Sequence, residues 1–311
     1  MNELEQAGPG CGRLFSPDQS AQVLPRGQKT NDGYRRANVS LWDEWAELHR
    51  GSAMYDLVGF KKGRTSLNGI ELDEVGDVRG KTLLHLQCHF GLDTLSFARL
   101  GAKVTGVDFS DRATSLACSV RSEVGIKESD ARFVCSDVYD LEGKLDGRFD
   151  IVYTSYGVLA WLRDLDEWSR LVTRFLSPKG FFYMVELHPF LNCFDQDSPD
   201  PSLLRVRFPY FPESGRPLRV RTHGSYADRT AHVKEPFSYQ YDHPLSEVVS
   251  ALTKHGLRVE FLHEFPFCYH RIFPWLVQKK GDNRWVFPRR VPSFPLLFSI
   301  KASRPLGKGR T

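Results

Sequence analysis

The spacing of apolar and polar positions changes near residue 81, where short apolar runs begin to alternate with amphipathic stretches. Five of these runs, each typical of a strand, span residues 82–87, 102–108, 131–138, 149–156 and 181–187. They are apolar on both faces, as expected of strands in a parallel sheet that helices cover on each side. Two later strands are predicted over 257–263 and 294–302, the last one returning as a hairpin partner.

The stretches between the runs have helical periodicity. Apolar residues recur on one face through 110–125, with Ser110 as N-cap and Gly125 as the stop. Further helices are predicted over 93–100, 164–176 and 244–255. Strands that alternate with helices of this length predict a doubly wound α/β fold, in which ligands bind beyond the carboxyl ends of the strands.

The two ends of the chain depart from this rhythm. Residues 1–30 are rich in Gln, Gly, Pro and Ser, which predicts a mobile tail, and residues 304–311 predict a frayed end. Residues 31–303 are therefore interpreted as a single domain.

Two segments inside the domain are interpreted as lids. Residues 34–70, with a helical period over 39–49, form a predicted N-terminal lid that carries Trp42, Trp45 and Tyr55. Residues 189–244 have no helical period but are rich in aromatic residues. A loop of this length and composition predicts an insertion that covers a substrate.

The composition excludes several classes of protein. A hydrophobic fraction of 41% excludes disorder throughout, and a formal net charge of +4 is too small for a protein whose main task is to neutralise phosphates. No apolar run approaches the roughly 20 residues of a membrane-spanning helix. The six cysteines include no CxxC pair and the histidines no HExxH motif, so no metal is expected. We expect a cytoplasmic protein that binds neither nucleic acid nor membrane, with its oligomeric state left open.

Two acidic residues follow neighbouring predicted strands. Asp108 ends the strand at 102–108, where a carboxylate can accept hydrogen bonds from both hydroxyls of a ribose. Asp137 follows the next strand, where it can accept from the amine of adenine while the backbone amide of Val138 meets a ring nitrogen. These positions predict an adenosine slot.

The loop after the first strand discriminates between adenosine cofactors. Residues 87–91 read Gln-Cys-His-Phe-Gly, so the GxGxxG spacing that lets the backbone approach a pyrophosphate is absent. Gln87 and His89 would crowd a diphosphate, which disfavours a nicotinamide oxidoreductase. S-adenosylmethionine (SAM) carries a sulfonium and an amino-acid tail instead of phosphates, and it is the favoured cofactor.

A resemblance to the class I SAM-dependent methyltransferases is carried by the runs LLHLQCHFGLDTLSFARLGAKVTGVDFS, FVCSDVYDL, FDIVYTSYGVLAWL and LSPKGFFYMVELHP. More narrowly, the chain is similar to a bacterial branch of small-molecule methyltransferases with LQCHFG in the glycine-loop position. The resemblance covers about residues 34–302 and implies a Rossmann-like, seven-stranded sheet with a reversed last strand and SAM at its carboxyl edge. Most of the wider family has two further glycines where this chain has Gln87 and His89.

The resemblance implies a role in cofactor binding for nine residues. They are Gln87, His89, Gly91, Asp108, Phe109, Asp137, Val138, Ser155 and Tyr156. The first three correspond to the glycine loop, and Asp108 to the ribose-binding acid. Phe109 is expected to stack on adenine, and Asp137 and Val138 to frame its polar edge. Ser155 and Tyr156 are expected to line the floor of the site after the fourth strand.

Methyl transfer is an in-line displacement at a carbon that the sulfonium already activates. The main contribution of such an enzyme is to hold the reacting atoms in near-attack geometry inside a nonpolar enclosure. A general base helps where the acceptor is a hydroxyl or an ammonium. Glu186 and His188, at the end of the fifth predicted strand, are the expected catalytic candidates facing the pocket.

The sequence favours transfer of a methyl group from SAM to a small organic acceptor, with release of S-adenosylhomocysteine (SAH). The density of aromatic residues in the insertion points to an apolar or aromatic acceptor. An alternative remains open, because the altered glycine loop also fits a protein of this fold that binds SAM without transferring its methyl group, as a binding module or a non-methylating catalyst.

Overall fold

The computed structural model describes residues 22–23 and 31–305, apart from residues 213, 214 and 223. The tail predicted over residues 1–30 lies outside the described residues except for the two-residue strand Gln22–Val23. Residues 306–311 of the predicted frayed end also lie outside them.

A seven-stranded sheet forms the centre of the molecule. Its strands, in chain order, are β1 (Thr82–Leu86), β2 (Lys103–Asp108), β3 (Ala131–Cys135), β4 (Phe149–Ser155), β5 (Leu176–Leu187), β6 (Arg258–Phe265) and β7 (Leu297–Ser303). Their order across the sheet is β3-β2-β1-β4-β5-β7-β6. The first five strands are parallel, and β7 runs antiparallel to both of its neighbours. The predicted Rossmann-like, seven-stranded sheet with a reversed last strand is confirmed.

Seven α-helices are described. They are α1 (Asn31–Arg50), α2 (Leu57–Lys61), α3 (Gly69–Val75), α4 (Leu92–Arg99), α5 (Asp111–Glu123), α6 (Leu165–Phe175) and α7 (Leu245–Lys254). One apolar core joins α3, α4 and α5 to the sheet, and a second joins α6 and α7 to it. Because helices cover both faces of the sheet, the strands bury side chains on both sides and are apolar throughout. No described helix combines the length and hydropathy that crossing a bilayer requires.

Local signals explain most helix boundaries. Ser110 caps α5, and its hydroxyl accepts a hydrogen bond from the amide of Ala113 at 3.0 Å. Asp164 caps α6 in the same way, accepting from Glu167 at 3.0 Å. Gly101 follows α4 with a φ of 95°, a left-handed conformation that glycine adopts without strain.

Two local features depart from the simple sequence pattern. Residues 177–180 read Ser-Pro-Lys-Gly, a composition typical of a turn, but they belong to β5. The register explains this, because Phe149 pairs with Leu176 and Ile151 pairs with Phe181, so the extra residues bulge out of a continuous strand. The segment after α1, which lies beyond the helical period at 39–49, contains the short helix α2.

The insertion after β5 packs on α1. It contains two antiparallel strands, Leu218–Arg221 and Phe237–Gln240. The Asn38 side chain in α1 donates to the carbonyl of Tyr239 at 2.8 Å and accepts from its amide at 2.9 Å. The Trp45 indole donates to the carbonyl of Gly224 at 2.9 Å. The two predicted lid segments therefore form one connected unit over the carboxyl edge of the sheet.

Candidate functional site

The loop that follows β1 has an unusual backbone. Gln87, His89 and Gly91 have φ angles of 57°, 52° and 76°, so all three are left-handed. A residue with a Cβ pays roughly 1–2 kcal/mol for this conformation, and glycine does not. The loop thus adopts a left-handed backbone at three positions, two of which carry polar side chains. One of these side chains, that of Gln87, donates to the carbonyl of Val158 at 3.1 Å.

Asp108 ties this loop to the end of β2. Its Oδ2 accepts a hydrogen bond from the amide of His89 at 2.7 Å, and its Oδ1 accepts from the amide of Ser110 at 3.0 Å. Burial raises the pKa of Asp108 to about 6, although these amides oppose the shift. Each carboxylate oxygen keeps a second lone pair, so the group can still accept from two hydroxyls.

A narrow cleft next to Asp108 lies where the adenosine slot is predicted. Its volume is about 60 Å³, and it is lined by Phe109, Asp137 and Val138 from the sheet edge and by Tyr34 and other residues of α1. The Asp137 carboxylate accepts from the amide of Tyr139 at 3.0 Å. The residues predicted to contact adenine therefore lie together on one side of the cleft, and α1 forms the opposite wall.

A much larger cavity, of about 680 Å³, adjoins this cleft. The residues that line both are Gln87, Asp108, Phe109 and Trp161. Ser155 and Tyr156, at the end of β4, line the large cavity as predicted for its floor, and His89 and Gly91 line it from the loop. The structure thus brings all nine predicted cofactor residues to one continuous site.

Aromatic side chains from three segments enclose the large cavity. Trp42 in α1 packs edge-on against His89 and Trp161, with ring centroids 5.2 and 5.3 Å apart. Tyr55 packs on His89 at 5.4 Å, and its hydroxyl bonds that of Tyr226 from the insertion. These rings form an aromatic wall above the loop.

Two histidines join the lid to the loop. Nδ1 of His49 lies 2.9 Å from Nε2 of His89, within hydrogen-bonding distance. Burial lowers the pKa of His49 to about 3, and burial together with His49 lowers the pKa of His89 well below its usual value. Both imidazoles are therefore neutral near pH 7, so the contact is a hydrogen bond between neutral rings.

The structure corrects the expectation that Glu186 faces the large cavity. Its carboxylate is 2% exposed and accepts hydrogen bonds from the backbone amides of Gly157, Val158, Leu159 and Leu187. Burial raises its pKa, and these four amides oppose the shift. Glu186 lines a separate small cavity and supports, from behind, the 157–159 loop that borders the large one.

His188 also lies away from the large cavity. Its Nδ1 accepts from the amide of Phe190 at 3.1 Å, and its Nε2 lies 2.9 Å from the carboxylate of Glu264. The ring packs edge-on against Phe298 in β7. These contacts hold the ring at the exit of β5, and the catalytic role of His188 stays a prediction.

We expect Glu186→Gln to destabilise the protein by about 1–3 kcal/mol, because the amide nitrogen of glutamine would face backbone N–H groups that lose their acceptor. Thermal and urea unfolding measure this effect. The turnover rate per folded molecule should fall less than threefold in Glu186→Gln and in His188→Gln. The pH dependence of that rate should keep the shape it has in the wild type. A loss of 100-fold or more at unchanged stability would instead assign the base role that the sequence predicts.

Sequence reasoning missed several residues of the site. Asp93 follows Gly91 by two residues and lines the cavity, so its closeness to the loop was an available signal. Glu71, His49 and Tyr226 have no local signal, because each reaches the site only through packing of a distant segment. Among the described residues, no group of three or more His, Cys, Asp or Glu side chains is arranged to hold a metal ion.

Comparisons with known proteins agree with the observed fold. Residues 84–184 match the family model described as a methyltransferase domain. A ubiquinone biosynthesis O-methyltransferase from Xanthomonas oryzae pv. oryzae is 30% identical over 149 residues, which are 47% of this chain. The match spans only 60% of the length of that relative.

Solved structures show the same fold at low identity. A protein from Listeria monocytogenes, described as an S-adenosylmethionine-dependent methyltransferase, superposes with a TM-score of 0.50 at 19% identity, over 76% of this chain and 96% of its own. A complex of DhpI with SAH superposes with a TM-score of 0.52 at 14% identity, over 88% of this chain and 98% of that one.

Proposed function

We propose that this chain transfers a methyl group from SAM to a small organic acceptor and releases SAH, because residues 84–184 match a methyltransferase domain and the fold is that of solved SAM-dependent methyltransferases. The observation that carries the proposal is the continuity of the adenosine cleft with the 680 Å³ cavity, across Asp108 and the 87–91 loop. A cofactor in the cleft would present its sulfur to the cavity. The cavity is large enough for an acceptor as well.

The residues around the cleft fit the adenosine of SAM. The Asp108 carboxylate retains lone pairs for the two ribose hydroxyls, and Asp137 with Val138 would frame the polar edge of adenine. Phe109 supplies a flat apolar face beside them. Bound there, SAM supplies a methyl carbon activated by its sulfonium.

The rings around the large cavity would position the acceptor. Trp42, Tyr55, Trp161 and Tyr226 line it, and large rigid aromatic surfaces favour an apolar or aromatic ligand. Rigid rings of this kind would hold the acceptor in near-attack geometry towards the methyl carbon. The relative from Xanthomonas oryzae, an O-methyltransferase of ubiquinone biosynthesis, supports a hydroxyl as the group that is methylated.

The test is incubation of the protein with methyl-labelled SAM and a panel of phenols, catechols, carboxylic acids and amines, followed by mass spectrometry. We expect label in one acceptor class and an equal amount of SAH. Asp108→Asn should lose product, whereas Asp111→Asn, an exposed acid in the first turn of α5, should not. SAM binding without a labelled product in any class would favour the alternative, a protein that binds SAM without transfer. Absence of SAM and SAH binding would reject both.

A further inference from the structure

A pair of hydroxyl groups lies in the aromatic wall of the large cavity. Tyr55, in the segment after α1, and Tyr226, in the insertion, both line the cavity, and their hydroxyls bond each other. The bond joins two segments that are 171 residues apart in the chain. It places two polar oxygen atoms side by side in a wall that is made of aromatic rings.

The hydroxyl pair lies over the loop that carries the predicted cofactor residues. The Tyr55 ring is 5.4 Å from the ring of His89, whose backbone amide donates to Asp108 at 2.7 Å. The Trp42 ring packs against His89 at 5.2 Å and against Tyr226 at 6.4 Å. A group bound at the hydroxyl pair would therefore lie on the side of the cavity where the cofactor would present its sulfur.

The buried imidazole of His49 supports the hydroxyl pair. Its ring stacks on that of Tyr55 with centroids 5.1 Å apart, and its Nδ1 lies 3.4 Å from the Tyr226 hydroxyl. Burial lowers the pKa of His49 to about 3, so the ring is neutral near pH 7 and is a weak base. The contact therefore suits the binding of a group better than the removal of its proton.

The charged side chains of the cavity are engaged elsewhere. Among the described residues that line the cavity, the arginines, lysines, aspartates and glutamates are Arg64, Asp93 and Asp108. Arg64 pairs with Asp56 at 2.8 Å. Asp93 accepts from the Ser66 hydroxyl at 2.6 Å, and Asp108 accepts from loop amides. An ammonium or a carboxylate at the hydroxyl pair would lose water without gaining an opposite charge, which is costly, whereas an uncharged hydroxyl needs only a neutral partner.

We propose that the paired hydroxyls of Tyr55 and Tyr226 bind the hydroxyl group of the acceptor, and that they select an uncharged hydroxyl, such as that of a phenol, over an ammonium or a carboxylate. The proposal rests on the proposed function, since it names the residues that hold the group to be methylated. Two hydroxyls together carry two protons and four lone pairs, so the pair accepts more hydrogen bonds than it donates.

The same contact distinguishes the acceptor from its methylated product. The hydroxyl of the acceptor would donate to the tyrosine pair, whereas the methyl ether that forms by transfer has no proton to donate. The product is therefore expected to bind more weakly than the acceptor, which favours its release.

Titration calorimetry on the SAH-saturated protein tests the subsite with three probes. They are 2-naphthol, its methyl ether 2-methoxynaphthalene, and 2-naphthylmethylamine, which is an ammonium ion at pH 7. The wild-type protein should bind 2-naphthol about threefold to 10-fold more tightly than the ether, as one neutral hydrogen bond implies. The ammonium probe should bind more weakly than the ether, because the subsite offers it no opposite charge.

Tyr55→Phe and Tyr226→Phe each remove one hydroxyl and keep the ring. The double variant should bind 2-naphthol and 2-methoxynaphthalene equally, within about twofold, because both acceptor oxygens are gone. Each single variant should have a preference between that of the double variant and that of the wild type. The affinity for the ether should stay near the wild-type value in all three variants.

The matched control is Tyr269→Phe. Tyr269 also lines the large cavity, but its hydroxyl accepts from the backbone amide of Ile70 in α3 at 3.3 Å. This variant should keep the wild-type preference for 2-naphthol. Thermal unfolding and SAH affinity, measured for every variant, separate a loss of the subsite from a loss of the fold or of the cofactor site.

A preference for 2-naphthol that survives in the double variant, or that Tyr269→Phe also removes, would overturn the subsite and leave the proposed function standing. Tighter binding of the ammonium probe than of 2-naphthol to the wild type would overturn it as well, and so would the failure of all three probes to bind. If the wild-type protein binds neither SAM nor SAH, the proposed function itself is rejected and the subsite with it.

Discussion

Asp108→Asn should lower the affinity for SAM and SAH by about 100-fold, which makes it the largest expected effect of a single polar substitution. The carboxylate is placed to accept from two ribose hydroxyls, and each charge-assisted hydrogen bond contributes roughly 1.5–3 kcal/mol. Asparagine retains one acceptor oxygen and places a donor where the second hydroxyl would bind. Isothermal titration calorimetry with SAH measures the change directly.

Asp108 also accepts from the amides of His89 and Ser110, so the variant needs a check on folding. We expect its unfolding free energy to fall by about 1–3 kcal/mol, since an amide nitrogen would face one of these N–H groups. Asp111→Asn, three residues away and exposed, should retain both affinity and stability. Unchanged SAH affinity in a folded Asp108→Asn protein would refute the ribose assignment.

Gly91→Ala should destabilise the protein by about 2–4 kcal/mol and impair cofactor binding. Gly91 has a φ of 76°, and an added Cβ would lie 2.5 Å from Cε1 of Phe133 in β3. The ring has little space to move, because it is also the nearest neighbour of Gly106 in β2, where a Cβ would lie 2.7 Å from it. Left-handed strain and overpacking each contribute roughly 1–3 kcal/mol. Urea unfolding gives the difference in free energy.

Gly125→Ala is the matched control, since its φ is 73° and a Cβ there would meet nothing within 4 Å. It should cost only the left-handed strain of about 1–2 kcal/mol. Combining Gly91→Ala with Phe133→Ala should recover part of the loss relative to Phe133→Ala alone, because the crowding ring is gone. Equal destabilisation by the two glycine substitutions would show that the contact with Phe133 carries no energy.

The 87–91 loop was located from the sequence even though two of its expected glycines are absent. Gln87 and His89 break the glycine spacing, yet both adopt the left-handed backbone of a glycine. Side chains at these positions are held by distant partners: Gln87 bonds Val158, and His89 bonds His49. The order of strands and helices around the loop was sufficient to place it, whereas the contacts that stabilise its strained residues come from segments far away in the chain.

For Glu186 and His188, the sequence located the strand end correctly but did not determine the direction of the side chains. A carboxylate and an imidazole at the end of a central strand are reasonable candidates for a base, but the direction of each side chain depends on the alternation along β5 and on what covers each face. Glu186 points to the amides of the 157–159 loop, and His188 points to β7 and Glu264. The acids that line the large cavity are instead Asp93, in the first turn of α4, and Asp108, at the end of β2.

The sequence by itself determined the alternation of strands and helices, the return of the final strand as a hairpin partner, and the position of Asp108 and Asp137 at one edge of the sheet. These follow from short-range signals: apolar periodicity, helix caps, and acids at the tips of adjacent parallel strands, which any sheet of this kind brings to one edge. The tertiary structure alone decided which polar groups face the large cavity and that α1 packs on the insertion. Both depend on side-chain direction and on packing between segments up to about two hundred residues apart, and nothing in the local pattern encodes these.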